Sequence, residues 1–211
     1  MRKLILGFGF WVLGTICFAG EVKLSVIGPD GLTGTATLIN KIQEDGTKYV
    51  RLSMKLTYSD GQTSDVLQES SYSAKGEPIR MLQTSKVGTK KTSVIVTFTE
   101  EGAQVVSDKG DGPKTNLVVR PDGSTANPTE FWFCKVPPKK GQVVEFFTFR
   151  VSEQSWSKAK SRFEGTREII VGGKKVVANL VQLGEVKSYS DDEGDPYRIE
   201  FGKLTMERIS K

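Results

Sequence analysis

From residue 49 to residue 58 apolar and polar side chains alternate without a break. Val50, Leu52, Met54, Leu56 and Tyr58 fall on one face, Arg51, Ser53, Lys55 and Thr57 on the other. A period of two is that of an antiparallel strand with one buried face. Val94, Val96 and Phe98 repeat it, and Val22, Leu24 and Val26 form a shorter version before a Gly28-Pro29-Asp30-Gly31 turn. Ala36, Leu38 and Ile42 continue the pattern. Residues 143–151 and 176–183 are apolar on both faces, which predicts a sheet that curls around its own core or is capped by another element. Ile169-Ile170-Val171, Gly172-Gly173 and the run from Lys174 read as a hairpin, with two glycines for the positive φ angles of a tight turn. Residues 155–163 fit a strand or a loop.

Helical periodicity is confined to one place. Asn127 can cap a short helix, Pro128 fits its first turn and Glu130 stands three residues after the cap. Phe131, Trp132 and Phe133 follow, and Pro137-Pro138 stops it. The fold class is therefore all-β with minor α: a curved antiparallel sheet or open β-barrel with one short helix. A faint internal repeat adds detail. Residues 71–80 and 188–198 both read Ser-Tyr-Ser, a variable turn, Gly, an acid, Pro, any residue, Arg. Each is a strand, a turn and a returning strand entered through Pro. The repeat is compatible with two chance hairpins, or with two related halves, 21–107 and 131–211, joined by 108–130.

The first twenty residues differ from the rest. Arg2 and Lys3, an uncharged apolar stretch over 4–18, and Cys17-Phe18-Ala19-Gly20 have the order of a cleaved export signal. The apolar stretch is shorter than the roughly 20 residues that span a bilayer as a helix. Ile16 before Cys17 fits a lipidation site poorly. The expectation is a signal peptide over 1–20, one β-rich domain over 21–211, and a periplasmic or secreted protein not integral to the membrane.

Charge and chemistry narrow the function. Without Arg2 and Lys3 the thirty basic residues become 28, against 25 acidic ones, a net charge of +3. That gives no reason to expect a nucleic-acid partner. The pairs Lys90-Lys91, Lys139-Lys140 and Lys174-Lys175 lie beside glycines and read as hairpin tips. The chain has no histidine, and Cys134 is the only cysteine after the leader. Ser-His-Asp and Cys-His nucleophile systems, His-based zinc sites and a thiol-disulfide centre are thereby excluded. No phosphate loop or nucleotide fingerprint is present. Asp191-Asp192-Glu193-Gly194-Asp195 lacks the alternating acids and distal Glu of a calcium loop. No cofactor, metal or catalytic residue is expected; a hydrolase working through Asp or Glu stays open as an alternative.

Aromatics offer the better lead. Phe131, Trp132, Phe133, Phe146, Phe147, Phe149 and Trp156 fall within a short span. They fill a core, or they line an apolar cavity under a lid formed by the helix at 127–135. On the second reading Phe131, Trp132, Phe133, Phe147, Phe149 and Trp156 bind the ligand.

The hairpins also carry a resemblance. Residues 165–176, and 189–200 with Gly194, Pro196 and Arg198, resemble the C-terminal hairpins of bacterial exported β-rich proteins of unknown function. These are similar in kind to lipoprotein carriers of the LolA/LolB type. That resemblance implies a curved sheet around an apolar cavity closed by helices; here only one short helix is expected, and no functional residue carries over. The expected function is a non-enzymatic envelope protein binding an apolar small molecule, a lipid or an envelope partner protein. The alternative is a structural module that assembles through sheet edges.

Overall fold

The computed structural model describes residues 20–124, 131–132 and 138–210. Residues 1–19 of the export signal, Phe133, Cys134 and, except for Phe131 and Trp132, the helix expected at 127–135 lie outside the described residues. The strands are β1 (Gly20–Ile27), β2 (Thr33–Ile42), β3 (Lys48–Thr57), β4 (Thr63–Tyr72), β5 (Pro78–Val87), β6 (Lys90–Phe98) and β7 (Gly102–Asp108). They continue as β8 (Pro113–Val119), β9 (Val143–Arg150), β10 (Ser155–Val171), β11 (Lys174–Leu183), β12 (Val186–Ser190), β13 (Pro196–Phe201) and β14 (Leu204–Ser210).

All fourteen form one antiparallel sheet in the order β8-β7-β6-β5-β4-β3-β2-β1-β14-β13-β12-β11-β10-β9. Every strand pairs with its neighbours in sequence, except that β1 also pairs with β14 and that β8 and β9 do not pair. The first and last strands therefore meet in the middle of the sheet, and the free edges come from mid-chain.

The alternation read in the sequence sets the inner face. Val50, Leu52, Met54 and Leu56 are buried, and their register partners continue the same face through Leu38, Val66 and Met81. In the other direction it runs through Leu24, Val26, Met206, Ile199, Val186 and Leu183 to Phe146. At roughly 25 cal/mol per Å² of apolar surface, this continuous face is the main stabilising term.

The hairpins β2–β3, β3–β4, β4–β5 and β12–β13 share one turn. The residue before it accepts from a glycine three positions on and donates to the carbonyl four positions on, as at Gln43/Gly46/Thr47 and Asp191/Gly194/Asp195. Gly46, Gly61, Gly76 and Gly194 all have positive φ near 80–89°, which glycine adopts without a steric cost. The resemblance between 71–80 and 188–198 thus has a physical basis, since both hairpins also carry the same register shift before Pro78 and Pro196. In register, however, Tyr72 aligns with Ser190 and Ser71 with Tyr189, so Tyr72 points into the core while Tyr189 faces outward.

Residues 155–163 form the first part of β10, a 17-residue strand. A register shift between Phe163 and Gly165 bends it, with Gly165 at φ +86°. Beyond the bend the β10–β11 hairpin reaches β13 and β14: Arg198 Nη2 donates to the Ile170 carbonyl at 2.5 Å and the Gly172 N–H donates to Glu207 at 3.2 Å.

Candidate functional site

The aromatic residues gather at the seam between the two free edges. Phe98 ends β6 on the inner face, in line with Val94 and Val96. Phe149 on β9 is opposite Trp156 on β10, and Phe146 is opposite Ala159. Side chains alternate along a strand, so Phe146 and Phe149 lie on opposite faces of this hairpin. Phe146 and Ala159 continue the inner face and pack with Leu183, Val144 and Trp132. Phe149 and Trp156 point the other way, yet both contact Phe98, at ring-centroid distances of 5.6 Å each. Phe149 and Trp156 are themselves 5.4 Å apart, edge to face. A residue on the outer side of β9 can meet one on the inner side of β6 only if the sheet overlaps itself. The roll is thus a coil whose β9–β10 edge tucks beneath the β6–β8 edge. This is why residues 143–151 are apolar on both faces. The Arg120 guanidinium, just past β8, lies 5.4 Å from the Trp156 ring, so the outer edge also closes over the seam.

Phe131 and Trp132 belong to the connection between β8 and β9. Phe131 is 2% exposed and belongs to the main core cluster. Its ring stands edge-on to Tyr72 at 4.7 Å, and the Lys48 ammonium sits 4.4 Å from its centroid. Trp132 packs instead on the smaller cluster of Phe146, Ala159 and Leu183. The structure brings Phe149 and Trp156 together at the seam, places Phe131 and Trp132 against two separate apolar clusters, and leaves Phe147 half-buried on β9. Phe133 lies outside the described residues.

The inner wall is less apolar than the alternation of β3 implies. On β4 it carries Ser64, Gln68 and Ser70, on β5 Gln83 and Ser85, on β2 Asn40, and on β12 Ser188, all buried. Gln68 and Gln83 are direct register partners. Asn40 Oδ1, Ser70 Oγ, Gln83 Oε1 and Ser188 Oγ have no hydrogen-bond partner among the described residues. Each such buried group costs about 1–3 kcal/mol. Apolar alternation alone does not find these positions; their signal in the sequence is that Ser64, Gln68 and Ser70 share the face of Val66 and Tyr72 on β4.

Two tyrosines outside this wall have hydroxyls that are harder to ionise than usual. Burial, followed by donation to Glu69 at 2.8 Å, pushes the Tyr49 hydroxyl up to about 12. Burial, followed by the Glu200 charge, raises that of Tyr189. Among the described residues no group of three or more acidic or cysteine side chains could hold a metal. Asp191 in the acidic turn accepts from the Asp195 N–H at 2.8 Å and lies 3.4 Å from Arg208, so it is bound into the turn.

This fold has a solved counterpart. The chain is similar to a beta-barrel-like protein of a domain of unknown function, DUF1849, from Brucella abortus, with a TM-score of 0.53 and 12% identity. The match covers 92% of this chain and 96% of that one. At that identity the likeness shows the fold: a β-barrel-like, curved and unclosed antiparallel sheet. No family model matches the chain, and no curated protein matches it.

A groove of about 840 Å³ runs over the outer face of β2–β6, lined among others by Thr37, Ser53, Lys55, Asp65, Lys86 and Lys91.

Proposed function

We propose that this is an exported, non-enzymatic envelope protein that binds an apolar or lipid-like ligand, or an apolar segment of a partner protein, on the inner face of the roll. The observation that carries the reading is Phe131. It is a large core side chain supplied by a connection rather than by a strand, packed in the main apolar cluster edge-on to Tyr72 and beside the Lys48 ammonium. Burying such a side chain is worth about 1.5–3 kcal/mol, which an acyl chain or another aromatic occupying its place would replace. The unpartnered oxygens of Asn40 and Gln83 add polar groups to the same wall, a combination suited to an amphiphile. The leader over 1–20 and the lack of histidine support export and binding rather than catalysis.

The test is titration of the delipidated mature chain with a fluorescent fatty acid. Saturable binding that tightens in Phe131→Ala is the expected result, since the variant no longer pays to displace the ring. Absence of saturable binding in both proteins overturns the reading.

A second reading rests on the edges. Leu117 and Val119 on β8 and Val143 on β9 are exposed on strands with one unpaired side, which suits edge pairing with another chain. Cross-linking in the native envelope that recovers only monomer rejects it.

A further inference from the structure

The outer groove over β2–β6 has an electrostatic pattern unrelated to the aromatic seam. Cross-strand register sets Thr35, Lys55, Asp65, Lys86 and Lys91 in one row, each directly opposite the next. At about 4.8 Å per strand the three lysines span about 14 Å. Among the described residues none of Lys55, Asp65, Lys86 and Lys91 forms an ion pair. Lys86 and Lys91 face each other directly on adjacent strands, an arrangement of like charges that destabilises a sheet. The next row along the strands is Thr37, Ser53, Leu67 and Thr84, so hydroxyls flank the cations. Among the described residues no aromatic side chain lines the groove, which leaves ionic and hydroxyl contacts rather than ring stacking as its means of binding.

From this juxtaposition we infer that the groove is a binding site for an acidic saccharide chain. Its carboxylates would sit on Lys55, Lys86 and Lys91, and its hydroxyls on Thr37, Ser53 and Thr84. One lysine pair with an anion between them turns a repulsive contact into two attractive ones, and the concave wall holds the chain along the row. Asp65, between Lys55 and Lys86, interrupts the cations and sets where a carboxylate is refused.

The experiment is calorimetric titration of the full mature chain with three probes: an oligogalacturonate, a neutral oligoglucoside of the same length, and polyphosphate. The oligogalacturonate should bind saturably, at least tenfold more tightly than either other probe, and weaken as salt is raised. Lys86→Gln/Lys91→Gln should lose at least tenfold in that affinity. Its thermal midpoint without ligand should equal or exceed that of the unaltered chain, because the substitution removes a repulsion and leaves the inner face untouched. Equal binding of the neutral chain, preference for polyphosphate, or affinity undiminished in the double variant would each overturn the assignment. Fatty-acid binding at the inner face is read separately and does not bear on it.

Discussion

The overlap of the two sheet edges rests on a contact that ordinary strand pairing does not provide, and a double-mutant cycle measures it. Phe98 ends β6 and Phe149 lies on β9, on strands with no shared ladder; their rings meet edge to face at 5.6 Å with an interplanar angle of 84°. The perturbation is Phe98→Leu, Phe149→Leu and the two together, compared with the unaltered chain. Leucine keeps the sites apolar, so each single change should cost about 0.5–3 kcal/mol, small enough for a domain of about 5–15 kcal/mol to stay folded. An edge-to-face aromatic pair contributes about 0.5–1.5 kcal/mol beyond its burial. The double variant should therefore be less destabilised than the sum of the singles by that amount. Urea unfolding followed by tryptophan fluorescence and by circular dichroism gives the four free energies. Additivity within about 0.3 kcal/mol would mean that the rings do not touch in solution, and the coiled overlap would be refuted.

Other consequences can be measured alongside. Gly165→Ala places a methyl group at φ +86°, 3.1 Å from the Lys140 side chain; the left-handed conformation costs about 1–2 kcal/mol, to be read as a lower urea midpoint, and an unchanged midpoint would show that β10 does not bend there. Arg198→Met removes the donor to the Ile170 carbonyl and the 2.6 Å ion pair with Glu207. With both side chains partly exposed the global loss should stay near about 1 kcal/mol, while amide exchange at 169–177 accelerates and core amides on β3 do not. Tyr49 should titrate near 12 rather than 10 in ultraviolet difference spectra, chiefly through burial and then through Glu69. Because the folded value is the raised one, its contribution to stability is complete below pH 10 and is lost as the pH climbs towards 12; Glu69→Gln should lower the titration, and an unmoved value would sink the assigned hydrogen bond.

Much of the sheet is legible in simple alternation because a strand with one buried face writes its period directly into the chain. Residues 50–56 are the clearest case, and the two-glycine turn at Gly172-Gly173 is another, both φ angles being positive. Alternation could not give the overlap. Residues 143–151 announce two covered faces, but which element covers the second face depends on Phe98, 51 positions away from Phe149 in sequence. The Ser-Tyr-Ser match is legible as a repeat and deceptive in detail: the turn is the same, but Tyr72 stands one residue before it and Tyr189 two, which sends Tyr72 inward and Tyr189 outward. A stronger periodicity lies in the glycines: Gly31, Gly46, Gly61 and Gly76 recur every fifteen residues, one strand plus one turn. Of the aromatic site, proximity along the chain was enough to group Phe149 with Trp156. It did not separate Phe131 from Trp132, which leave adjacent backbone positions for different clusters.

The pairing of β1 with β14 sets the order in which such a sheet can assemble. Every other ladder joins strands adjacent in sequence and closes a short loop, whereas Val26 and Met206 are brought together across 180 residues. Loop closure of that length costs about 4–5 kcal/mol of chain entropy and is recovered only when both partners are already flat, paired templates. The two meanders, β1 to β8 and β9 to β14, can therefore zip as separate cooperative blocks and dock along one central ladder. Joining the chain termini and opening the backbone between β8 and β9 would turn that slow encounter into one more local hairpin.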